Sequence, residues 1–170
     1  MANSTITGRA KYHHFFQWIL IVGWVIAMTA SRTAIASPML TVTSKEGIES
    51  FTREQLVSMA DRTIQTATPW TKGKHVFLGV SVQKLLAILD MPPTKLKVYA
   101  LNDYWAEITI EDIEKYNPIF AIKKDGQWMR VRDKGPIWVI YPLSEENLLD
   151  SEIIHSRMVW QTNRVEILHE

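Results

Sequence analysis

The sequence predicts an α+β domain of mixed sheets with short flanking helices, on three observations. Stretches of alternating polar and apolar residues recur along the chain, as half-buried strands require. The first two helical signals between them are short and begin at Thr52 and Ser81 caps. Asp125-Gly126, between the strand-like segments 119–123 and 127–131, is a two-residue hairpin signal.

Taken in order, residues 39–43 alternate as a strand, and a second short strand is expected over 49–51. Thr52-Arg53-Glu54-Gln55 has capping-box form, which starts a short helix burying Leu56 and Met59. Residues 62–68 place β-branched side chains at alternate positions and read as a strand ended by Pro69. A Lys-rich loop follows to His75, then a short strand over 76–80. Ser81 caps a helix with Val82, Leu85, Leu86 and Leu89 on one side, and Met91-Pro92-Pro93 stops it. Residues 95–101 and 104–110 form a hairpin about Asn102-Asp103, and 111–116 a helix with acids in its first turn. Residues 119–123 and 127–131 flank the Asp-Gly turn, and the apolar run 137–141 reads as a central strand. A helical or turn-like segment over 145–154 and a strand over 159–168 complete the chain.

Residues 1–36 read as a secretory signal peptide and 37–170 as one domain. Arg9 and Lys11 form a basic start, no acid occurs before Glu46, an apolar run spans 18–30, and Ala34-Ile35-Ala36 is a small-x-small cleavage signal. The run is shorter than the roughly 20 residues of a spanning helix. An uncleaved N-terminal membrane anchor is the alternative, because Phe15 and Phe16 lengthen the apolar stretch. The expected location is therefore periplasmic or secreted. The basic pair is interrupted, Arg9-Ala10-Lys11, so no twin-arginine export signal is present.

Arg9, Lys11 and Arg32 lie in the leader, which leaves 16 basic against 18 acidic residues beyond it and no general attraction to nucleic acid. The chain has no cysteine, which excludes disulfides, thiolate metal sites and cysteine nucleophiles. His75, His155 and His169 have no ligand spacing, so no zinc site is expected. His75, in its Lys-rich loop, reads as exposed. Beyond the leader, five of the seven tryptophans, at 70, 105, 128, 138 and 160, are available to fill the core or line a cleft.

Several stretches, in order, carry a resemblance: Thr66-Ala67-Thr68-Pro69-Trp70, Phe77-Leu78-Gly79-Val80-Ser81 into Leu85-Leu86, and Ala100-Leu101-Asn102-Asp103-Tyr104. They continue with Asp125-Gly126-Gln127, Val131-Arg132-Asp133-Lys134-Gly135-Pro136-Ile137-Trp138 to Tyr141-Pro142, and Trp160-Gln161-Thr162-Asn163-Arg164-Val165-Glu166-Ile167. Together they resemble the molybdopterin-binding domain of the sulfite oxidase family, and most of all its short, exported, single-domain relatives. The resemblance implies a sulfite-oxidase-like molybdopterin-binding fold. In catalytic relatives a cysteine four residues before a tryptophan ligates molybdenum. Here Thr66 stands four before Trp70, and a hydroxyl is a hard, normally protonated donor where a soft thiolate is needed. Cofactor-bearing relatives usually cross the membrane folded, a route the missing twin-arginine signal does not indicate. No cofactor is therefore expected, and molybdopterin is the group in question if there is one.

Candidate ligand-binding residues follow from both kinds of reading. Arg130, Arg132, Lys134 and Gly135 have the makings of a phosphate-cradling loop of guanidiniums and close backbone N–H groups. Asp133 is available to pair with one of the cations and set the turn before Pro136, while Lys123 and Lys124 read as ordinary surface lysines. The resemblance places Asn102, Asp103 and Tyr104 at the cofactor cleft, although Asn-Asp is also plain turn chemistry. Trp70 is suited to stack on a flat ligand or to pack half-buried, and Thr66 to fill a strand position. The reading that results is an exported, non-catalytic binding or sensing module for a small anionic or heterocyclic ligand. It would report to a membrane-bound signalling or redox partner, with no nucleic acid involved. A molybdopterin-dependent periplasmic oxidoreductase and a purely structural scaffold remain as alternatives.

Overall fold

The computed structural model describes residues 37–92 and 94–168; the leader expected over 1–36 and His169 lie outside the described residues. The described residues form two sheets and four short helices. The first sheet contains β1 (Leu40–Ser44), β2 (Gly47–Phe51), β5 (Leu96–Ala100), β6 (Trp105–Ile108) and β10 (Thr162–Ile167), in the order β2-β1-β10-β5-β6. Strand β1 pairs parallel with β10, and the other neighbours are antiparallel, so this sheet is mixed. The second sheet is antiparallel: β3 (Arg62–Ala67), β4 (Lys74–Ser81), β7 (Ile119–Lys124) and β8 (Gln127–Trp128) in sequence, with β9 (Trp138–Ile140) also on β7.

One face of the first sheet buries Leu40, Val42, Leu96, Val98, Ile108 and Val165. Its other face carries cation–aromatic contacts, with Lys97 Nζ 3.9 Å from the Trp105 centroid and the Arg164 guanidinium 3.6 Å from Tyr99. In the second sheet, Phe77, Ile119, Phe120 and Val139 are fully buried and join the same hydrophobic core. Gly79 makes the β4–β7 pairing possible, because a Cβ there would lie 2.1 Å from the Phe120 carbonyl oxygen.

Each helix is held at its start by the cap the sequence offers. In α1 (Arg53–Met59) Thr52 accepts from Gln55 N, and the Gln55 side chain accepts from Thr52 N at 2.7 Å. In α2 (Val82–Ile88) Ser81 accepts from Lys84 N at 3.1 Å and is itself gripped by Asp61, which accepts from Ser81 N and Oγ at 2.7 and 2.8 Å. Thr109 caps α3 (Ile110–Lys115) and Ser151 caps α4 (Glu152–Arg157).

Several bounds differ from expectation for identifiable reasons. Strand β8 stops at Trp128, since Val131–Asp133 coils into a 3₁₀ turn closed by Gly135 N donating to Arg130 O at 2.9 Å. The segment expected as helical or turn-like over 145–154 divides into turns and then α4, which begins after Ser151. Strand β4 extends back to Lys74, paired with Ala67. There the hairpin is clasped by Asp125, which accepts from Val76 N at 3.0 Å and meets His75 Nδ1 at 2.6 Å. His75, expected to be simply exposed, is thus a clasp residue.

Behind α3 lies a buried polar hub. Asp112 accepts from the Tyr141 hydroxyl at 2.8 Å and from Arg157 Nη1 at 2.7 Å, joining α3, the end of β9 and α4. Burial, reinforced by the Asp112 charge, pushes the Tyr141 phenol well above its ordinary value, so it serves as a donor.

Two outcomes follow. Asp112→Ala strands the Arg157 charge and the Tyr141 hydroxyl, and should lower unfolding free energy by about 3 kcal/mol in urea titrations. The Val76 amide holds the Asp125 carboxyl below its ordinary 3.8, with His75 adding to the effect. That contribution is complete above the ordinary value and is lost as pH falls through the lower folded one. Val76 amide protection, corrected for intrinsic exchange, should therefore weaken in acid, and Asp125→Asn should abolish that pH dependence.

Candidate functional site

Three tryptophans distant in sequence meet where the two sheets deliver them. Trp70 follows β3, Trp138 opens β9, and Trp160 precedes β10 and bridges to Trp138. The Trp70 ring lies 5.1 Å from Trp160 at 75° and 6.0 Å from Trp138 at 57°, near the edge-to-face arrangement that aromatic quadrupoles favour. Lys134 reaches into this group, its ammonium 3.8 Å from the Trp160 centroid, 5.5 Å from Trp138 and 5.6 Å from Trp70. Its backbone is left-handed at φ 71°, and its carbonyl accepts from Gln161 N at 3.0 Å, which fastens the turn to Trp160-Gln161. Burial pulls the Lys134 ammonium below its ordinary value of 10.5.

Trp70 and Trp160 form one wall of a cavity of about 290 Å³. Ala100, Asn102 and Tyr104, at the β5–β6 turn, form the second, and His155, Ser156, Met158 and Val159, around the end of α4, the third. The turn is built on Asp103 at φ 63°, with Ala100 N donating to Tyr104 O at 2.8 Å and Asn102 Oδ1 accepting from Tyr104 N at 3.3 Å. The Tyr104 hydroxyl donates to Ser156 O at 2.8 Å, tying the hairpin to the helix. Among the described residues, no Asp, Glu, Lys or Arg lines the cavity. His155 stands edge-on to Trp70 with centroids 5.8 Å apart. Its Nε2 is the one buried side-chain nitrogen or oxygen among the described residues without a hydrogen-bond partner.

The expected site residues therefore divide. Trp70, Asn102 and Tyr104 come together at the cavity, and Lys134 lies against its tryptophan wall. Asp103 shapes the turn without lining the cavity. Arg130 and Arg132 lie outside it too, with side chains 63% and 71% exposed. Arg130 Nε pairs with Asp133 at 2.6 Å and holds that carboxyl below its ordinary value; Asp133 thus sets the turn. The amide of Gly135 is engaged by Arg130 O. Glycine is needed there because a Cβ would lie 2.2 Å from the Met129 carbonyl oxygen. Lys123 packs its ammonium 4.6 Å from the Trp128 centroid.

Thr66 is fully buried and absent from the cavity lining. Its hydroxyl donates to Ala67 O at 2.9 Å and accepts from Ser144 N at 3.0 Å, while Ser144 Oγ, 3.2 Å away, accepts from Ala67 N at 3.1 Å. These contacts stitch β3 to the segment after β9. A molybdenum ligand at this position would need a free, soft, deprotonated donor. Thr66 offers a protonated hydroxyl already engaged in two directions, and does not fit that role.

Sequence reasoning missed His155, Ser156, Met158, Val159 and Ala100. His155 sits in a short helix with no ligand spacing around it, and only its contact with Trp70 marks it.

No protein-family model matches the chain, and no curated protein sequence matches it. Among solved structures the fold is similar to the crystal structure of the sulfane dehydrogenase SoxCD from Paracoccus pantotrophus, with a TM-score of 0.56 at 16% identity. The match covers 77% of this chain and 38% of that chain, so the protein spans well under half of that neighbour's length. At this identity the likeness establishes the fold, which is α+β and sulfite-oxidase-like.

Thr66→Val, which keeps the shape but removes the acceptor for Ser144 N, should cost about 1–3 kcal/mol in urea unfolding. Thr66→Ser should restore most of it, and neither change should alter binding in the cavity.

Proposed function

We propose that this chain is an exported, non-catalytic ligand-binding module built on a sulfite-oxidase-like fold, one of its short single-domain forms without a metal-ligating cysteine. One observation carries the reading. The cavity is walled by Trp70, Trp160 and Tyr104 and, among the described residues, lined by no carboxylate, lysine or arginine, while the hydroxyl at the metal-ligand position is engaged elsewhere. Such walls suit a flat heterocycle. At about 290 Å³ the space is at the small end of the roughly 300–1,000 Å³ of ligand pockets, which favours a fragment-sized occupant. The Lys134 ammonium, within 6 Å of both wall tryptophans, favours an electron-rich or anionic ring there. Export and a membrane-bound signalling or redox partner belong to the same proposal, and rest on the leader-like start of the sequence.

The competing reading is a molybdopterin-dependent oxidoreductase, favoured by fold likeness to a sulfane dehydrogenase. It is disfavoured by the absence of any cysteine and by the engaged Thr66 hydroxyl.

Native mass spectrometry, paired with metal analysis, should be run on protein purified from its own compartment. A small-molecule adduct is expected, lost in Trp160→Ala, with molybdenum far below one atom per chain. One molybdenum per chain, with turnover that disappears when the metal is stripped, would falsify the proposal.

A further inference from the structure

We infer that the β7–β8 hairpin and the turn after it form a docking surface for an anionic lipid bilayer, with cations meeting the lipid phosphates and Trp128 lying at headgroup level. The inference is independent of the cavity and goes beyond the binding-module reading.

Separate pieces of chain build the surface around Trp128, which is 40% exposed. From α1 the Arg53 guanidinium lies 5.0 Å from the Trp128 centroid, and from β7 Lys123 Nζ lies 4.6 Å from it. Lys124, Gln127, Trp128, Met129, Arg130 and Asp133 line one surface hollow of about 520 Å³. Val131, 50% exposed, and Arg132 belong to the turn beyond it. Three carboxylates share the region. Asp133 is engaged by Arg130 at 2.6 Å and lies 4.0 Å from Arg132, Asp125 is held by the Val76 amide and His75, and Glu54 follows Arg53. Five cations against three carboxylates give this surface a positive excess, although residues 37–170 hold 16 basic and 18 acidic residues.

A bilayer suits this arrangement better than an acidic protein does. Clusters of about four to eight basic residues are drawn to anionic headgroups by a field that needs no matching shape. Tryptophan favours the headgroup level, where the indole meets apolar and polar neighbours at once, and exposed Val131 adds apolar surface to the same turn region. The described chain also begins close by. Met39 N donates to Phe51 O at 2.8 Å, two residues before Arg53, so any membrane attachment carried by the preceding residues joins the domain near these cations.

The test is lysine footprinting of the full chain, purified from its own compartment, with phosphatidylcholine vesicles or equimolar phosphatidylcholine–phosphatidylglycerol vesicles. Acetylation of Lys123 and Lys124 in a short pulse is read by mass spectrometry, so the signal reports this surface whatever residues 1–36 contribute. The anionic vesicles should half-protect both lysines at a lipid concentration about tenfold or more below that of the zwitterionic ones, since each basic residue near an anionic surface is worth about fivefold. Added salt should erase that difference. Arg130→Gln combined with Arg132→Gln should raise the lipid required about tenfold or more. Trp128→Ser should raise it without changing the salt dependence. If the arginine pair proves necessary for folding, because Arg130 fixes the turn through Asp133, Arg53→Gln carries the same test with about a fivefold rise. Equal protection by both vesicles, or protection that the charge variants keep, overturns the docking surface. Protection by soluble polyglutamate with none by anionic vesicles also overturns it, and assigns the surface to an acidic protein. Protection by inorganic phosphate at the concentration of the lipid phosphate assigns it to a free anion, with the same result.

Discussion

The placing of Lys134 against three tryptophans is the contact on which the site depends. Trp70, Trp138 and Trp160 come from three separate segments, and the ammonium lies within 5.6 Å of all three rings. Lysine in such a setting is partly desolvated, which its lowered titration reflects; the ring quadrupoles offset that cost. Its left-handed backbone and the Gln161 amide on its carbonyl hold the turn in place. With the tryptophans so fixed, Trp70 and Trp160 become a rigid wall, and the cavity is what remains between that wall, the β5–β6 turn and α4.

Much of the polar equipment suggested by the sulfite-oxidase resemblance is engaged within the chain. Thr66 binds Ser144, Gly135 binds Arg130, and Arg130 binds Asp133. Each has a local structural reason, and each leaves less for an incoming phosphate or metal. Among the described residues, the one buried side-chain nitrogen or oxygen without a partner is His155 Nε2, in a residue whose ring packs on Trp70.

Local patterns were a good guide to elements and a poor guide to their ends. The Thr52 box, the Ser81 cap and the Asp125-Gly126 turn were legible because each interaction spans only a few residues. Strand lengths were less so. Strand β8 is cut short because the Arg130 carbonyl binds Gly135 N, and β4 is lengthened because His75 and Lys74 pair with Thr66 and Ala67 of β3. Both depend on pairings that a period-2 pattern does not contain.

By itself the sequence determined the α+β class, the caps, the hairpins and the lack of any thiolate, all of which follow from composition or short-range geometry. It also brought Trp70, Asn102 and Tyr104 into consideration, through resemblance to a family. Only the tertiary structure separated these from Arg130 and Arg132, and only it brought His155 to Trp70. The physical reason is that a side chain's availability depends on which partners reach it. Thr66 and His155 find or lack theirs across sheets and helices far apart in the chain, where no spacing rule applies.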